Sequence, residues 1–73
     1  MKEVEMPLYY VNKRPQANGD HEVHSDSCFY ISKIKEKEFL GLYDNCVGAV
    51  AKAKSIYSRA NGCAFCSPAC HTG

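Results

Sequence analysis

The chain has 73 residues, nine Lys and Arg against eight Asp and Glu, and a net charge of +1, too little to hold a polyanion by charge alone. It makes one domain, residues 1–73, and a domain this short buries too little apolar surface to fold easily without a staple. No apolar run is long enough for a signal peptide or a membrane span. That places the chain in the cytoplasm with reduced thiols and no membrane partner.

Leu8-Tyr9-Tyr10-Val11 is aromatic and β-branched and reads as a strand. Lys13 to Asp20 contains Pro15, Asn18 and Gly19, the chemistry of a long hairpin loop. His21 to His24 is the return strand, Ser25-Asp26-Ser27 a second turn, and Cys28 to Ile31 a short apolar strand. Lys33 to Glu38 reads as an exposed connection, and Phe39 to Tyr43 as a further strand. Asp44 is a natural N-cap for a helix. Cys46, Val50, Ala53 and Tyr57 follow at helical spacing, and Asn61-Gly62 is the expected stop. The spacing predicts a helix at about 45–60. The fold class is a small α+β zinc-binding domain, a short antiparallel sheet packed against one main helix.

Five cysteines and three histidines suggest which staple is used. An odd cysteine count suits a disulfide framework poorly, so a metal is expected. His24 and Cys28 form one ligand pair, and Cys63 and Cys66 a second. Zinc takes four nitrogen and sulfur ligands in a tetrahedron, and Cys-x-x-Cys brings two thiolates together in one tight turn. Gly62 gives the backbone freedom to enter it. His24 and Cys28 can share a metal if Ser25, Asp26 and Ser27 turn the chain back. His21 lies an odd number of residues from His24, so on a strand the two rings face opposite ways. Cys70, His71 or His21 stand as alternatives to His24. Cys70 and His71 otherwise read as a flexible tail, and Cys46 as a buried side chain on the helical stripe. Phe65, inside the Cys-x-x-Cys turn, reads either as packing over the metal or as an exposed ring able to stack on bases.

The stretch from Glu22 to Pro68 resembles the N-terminal metal-binding domain of the Ada methyl-phosphotriester repair family and its small stand-alone relatives. The resemblance lies in VHSDSC, EFLGLYDNCVGAVAKAK and ANGCAFCSP. It implies zinc bound by His24, Cys28, Cys63 and Cys66 in a small sheet-and-helix fold, and a link to DNA. In the repair family the first ligand is a cysteine that accepts a methyl group. His24 stands at that position here, and an imidazole does not replace a zinc-activated thiolate in that role.

Two functions follow. The first is a structural zinc module that contacts nucleic acid or a protein partner. Residues 45–73 carry Lys52, Lys54 and Arg59 and no acid, and these cations would meet phosphates. The second is a thiol enzyme or redox sensor using a zinc-bound thiolate or Cys46 at the helix N-terminus. Four protein ligands close a zinc site, and no general base or small-molecule substrate is identifiable, so catalysis is not expected.

Overall fold

A computed structural model describes residues 6–72. Four strands form one mixed sheet: β1 (Leu8–Asn12), β2 (His21–Ser25), β3 (Lys37–Leu42) and β4 (Ala60–Gly62). Their order across the sheet is β3-β1-β2-β4. A single helix, α1 (Cys46–Lys54), lies between β3 and β4 in the chain. The small α+β class is therefore as the sequence predicts, except that the sheet is not purely antiparallel, because β4 pairs parallel to β2.

β1 and β2 form the expected hairpin across the Lys13–Asp20 loop, with Tyr10 opposite His24 and Val11 opposite Val23. The period of two decides what each face carries. Tyr9, Val11 and Val23 point into a core completed by Leu40, Cys46, Ala49, Val50, Ala53 and Ala60. Tyr10 and His24 fall on the other face. β2 is buried at Val23, His24 and Ser25 in succession, which a strand covered on only one side would not be. Between β1 and β3 the register slips after Tyr9, and Gly41 on β3 takes φ +133°, a conformation that disfavours a side chain.

The helix is shorter than its periodicity suggests. Asn45, not Asp44, caps it, its side-chain oxygen accepting the Val47 amide at 2.9 Å. At the far end the Ser55 hydroxyl donates to the Lys52 carbonyl at 2.6 Å, a local bond that competes with helix continuation. Tyr57, which a longer helix would keep on the apolar stripe, instead stacks flat on His21, ring centroids 4.0 Å apart. Asn61-Gly62 is not a helix stop but the end of β4. Cys28 to Ile31 is not a strand: the chain makes a 3-10 turn over Phe29–Lys33.

The largest departure concerns the thiols. Cys46 is buried in the core as its place on the helical stripe predicts, but it is bonded to Cys70 in a disulfide, so Cys70 is not a ligand of a metal here. The expectation of uniformly reduced thiols fails for this pair. The segment expected to be a flexible tail is held on β4. Asn61 donates to the Thr72 carbonyl at 2.8 Å and accepts the Thr72 amide at 3.0 Å. The His71 Nδ1–H donates to the Gly62 carbonyl at 2.9 Å. A Cβ on Gly62 would sit 2.8 Å from that of Cys70, so glycine is needed there for close approach. The disulfide closes a loop with a sequence separation of 24. Changing Cys46 and Cys70 together to alanine is expected to lower stability by about 3 kcal/mol in urea denaturation. The same double variant should leave the His and Cys cluster described next intact, since neither residue belongs to it.

Candidate metal centre

β2 sends His24 to the sheet face opposite the helix, where it is 2% exposed. Two turns bring thiols to it. After Ser25 the chain reverses, the Cys28 amide bonding to the Ser25 carbonyl at 3.1 Å, and Cys28 Sγ arrives 3.5 Å from His24 Nδ1. After β4 the Cys63–Ser67 turn, closed by Ser67 N–H to the Cys63 carbonyl at 2.9 Å, presents the other pair. Cys63 Sγ lies 3.9 Å from Cys28 Sγ, and Cys66 Sγ lies 3.9 Å from His24 Nδ1. One donor atom from each of His24, Cys28, Cys63 and Cys66 falls within 4.8 Å of all the others. The edges of a zinc tetrahedron are about 3.8 Å between sulfurs and about 3.5 Å between sulfur and nitrogen, from ordinary bond lengths. The three donor-atom distances match these edges, no pair exceeds 4.8 Å, and the four residues could hold a metal ion.

The surroundings act on the three thiols in opposite directions. Burial pushes the Cys28 thiol up to about 12, against a backbone donor at Tyr30, and burial raises Cys63 against donors at Phe65 and Cys66. Burial acts upward on Cys66 too, but the Ser25 amide at 3.4 Å, with side-chain donors at Cys28, Ser67 and Cys63, brings it below an ordinary thiol. Each sulfur thus has a backbone N–H aimed at it, which favours the thiolate a metal requires. Burial also lowers the His24 pKa, with Glu22 opposing, and keeps the ring neutral. The two ring nitrogens have separate tasks. Nδ1 faces the sulfurs, while Nε2 lies 3.4 Å from Glu22 Oε1. A proton on Nε2 is drawn to the carboxylate, and the Nδ1 lone pair would be free for a metal ion.

The structure separates the other candidates from this cluster. His21 points to the opposite face, as strand alternation requires, donating from Nδ1 to the Asn12 carbonyl at 2.9 Å. His71 is engaged with Gly62. Lys52 and Lys54 are exposed at the C-terminal end of α1, where the helix dipole favours cations. Arg59 is paired with Asp20 at 3.2 Å, so the three cations do not act as one free patch. Phe65 does not fold over the cluster but stands 72% exposed beside it. The role of Glu22 was not anticipated, although a carboxylate two residues before a ligand histidine on a strand necessarily shares its face. Among the described residues no helix is long and apolar enough to cross a membrane. No family model, curated protein or solved structure matches the chain.

Two outcomes are expected. Metal binding must displace at least the protons of Cys28 and Cys63, whose thiols are raised. Apparent zinc affinity should therefore increase by at least about a hundredfold per pH unit between roughly pH 6 and 7.5, and fall as acid is added. Competition with a chromophoric chelator at several pH values measures this. In the same assay Glu22→Ala should weaken binding by roughly ten- to a hundredfold, and Glu22→Gln, which keeps an acceptor oxygen, by less.

Proposed function

We infer that this chain is a structural zinc module, held by His24, Cys28, Cys63 and Cys66 and serving as a compact platform for a nucleic acid or a protein partner. The observation that carries the reading is the convergence of three free thiols and one neutral imidazole, from two distant stretches of chain, at tetrahedral spacing. Soft thiolates with one imidazole favour zinc over the oxygen-seeking divalent ions. Four protein ligands fill the tetrahedron and supply structure, not an open position for hydrolysis. The ion would tie β2 and the turn after it to the turn that follows β4, so that binding and folding are one equilibrium.

The resemblance to the Ada-type domain supports the same reading. An HxxxC pair, a helix and a CxxC pair occur here in that order, with His24 at the position where the repair proteins use a methyl-accepting thiolate. We infer a relative that keeps the metal and not the methyl transfer. The exposed Lys52 and Lys54 are compatible with phosphate contact, which would be weak and salt-sensitive with so few cations.

Native mass spectrometry of the purified protein should show one zinc per chain. A strong chelator should remove it and collapse the dispersed amide NMR spectrum, even with the disulfide intact. His24→Ala should lose the ion, while His21→Ala and His71→Ala should retain it. A metal-free protein that keeps its full native spectrum would sink the reading.

A further inference from the structure

Phe29 and Phe65 are 71% and 72% exposed, the most exposed of the large apolar side chains described. They come from the two turns that carry the thiols: Phe29 follows Cys28, and Phe65 sits between Cys63 and Cys66. Tyr30 touches both rings edge-on, its centroid 5.3 Å from that of Phe29 and 5.0 Å from that of Phe65. Between the two phenylalanines lies an open cleft of about 340 Å³, lined also by Ser25, Ser27, Cys28 and Cys66. The two serine hydroxyls lie 3.2 Å apart. Lys33 brings its ammonium to 5.0 Å from the Phe29 ring centroid and 5.8 Å from that of Tyr30.

Aromatic rings held this far into water by a rigid scaffold are an interaction surface more readily than a packing remnant. The chemistry of the cleft selects the occupant. Its walls include two exposed phenylalanine rings, which reward a flat ring. Its lining also carries the hydroxyls of Ser25 and Ser27, which an aliphatic side chain would not use. A cation lies against the Phe29 wall, which disfavours a second cation and suits a phosphate. A ligand with a flat apolar face, a hydrogen-bonding rim and an attached anion fits all three. Bases within a duplex hide their faces in the stack, so the base must be unpaired.

We propose that the cleft between Phe29 and Phe65 is a stacking site for an unpaired base of single-stranded nucleic acid, with Lys33 meeting its phosphate. This rests on the zinc-module reading, because the metal would fix the two turns that carry the rings.

The test uses the full-length, zinc-loaded protein and an oligothymidylate of about eight nucleotides, with the matching duplex as comparison, at about 50 mM salt. Amide shifts on titration should concentrate at Phe29–Lys33 and Ala64–Cys66, and the single strand should bind more tightly than the duplex. Phe65→Ala and Phe65→Leu should each weaken binding by roughly ten- to a hundredfold. Lys52→Glu with Lys54→Glu should weaken it by much less. Native mass spectrometry of every variant checks that zinc is still bound. Unchanged affinity in a zinc-loaded Phe65→Leu protein overturns the proposal. So do shifts confined to the Lys52–Lys54 end of α1, equal binding of duplex and single strand, or no binding at all. Each of those results, with one zinc per chain, leaves the zinc module standing. Absence of zinc from the native protein overturns the module itself.

Discussion

The constraint on which the architecture turns is the meeting of His24 and Cys28 with Cys63 and Cys66 on the sheet face away from the helix. The core on the other face is small, made largely of valines, alanines and one tyrosine. Burial of that order leaves a chain of 73 residues with little margin over its conformational entropy. A metal ion held by the cluster would compensate by linking segments 35 residues apart, as between Cys28 and Cys63. The cluster also accounts for the successive burial of Val23, His24 and Ser25 on β2, with His24 covered by thiol-bearing turns as Val23 is covered by α1.

The disulfide divides the work with this cluster. Cys46 lies at the start of α1 and Cys70 near the chain end, so the bond pins the helix to the C-terminal segment. That segment packs on Gly62 and is hydrogen-bonded through Asn61 and His71. The helix is thus fastened on one side of the sheet and the cysteine turns on the other, through a single stretch from Asn61 to Thr72. Stability would be expected to pass between the two staples through Gly62, where the approach is too close for any side chain.

Much of this was legible in the residues. The β1–β2 hairpin followed from aromatic and β-branched runs around a loop rich in turn formers. The opposite orientation of His21 and His24 followed from the period of a strand. The two ligand pairs were visible as HxxxC and CxxC. Other features had no local signal. β4 is Ala-Asn-Gly, residues with little preference for strands, and exists because β2 offers an edge. The Cys46–Cys70 bond joins two residues whose proximity depends on how the whole chain is wound, and the premise of reduced thiols argued against it. The helix looked longer because Tyr57 keeps helical spacing, whereas its ring was claimed by His21. Phe29 and Phe65, apolar and next to ligands, gave no sign of whether they would be covered.

The division of five cysteines into a triad and a pair has a consequence for how the chain matures. Before folding, any two of the five thiols are open to oxidation, and most pairings would trap a wrong topology. An ion that captures Cys28, Cys63 and Cys66 first withdraws them from an oxidant and leaves Cys46 and Cys70 as the sole partners. The cation would then act as a protecting group during assembly. Chains oxidised without it would accumulate scrambled isomers, so the order of the two events matters as much as their sum.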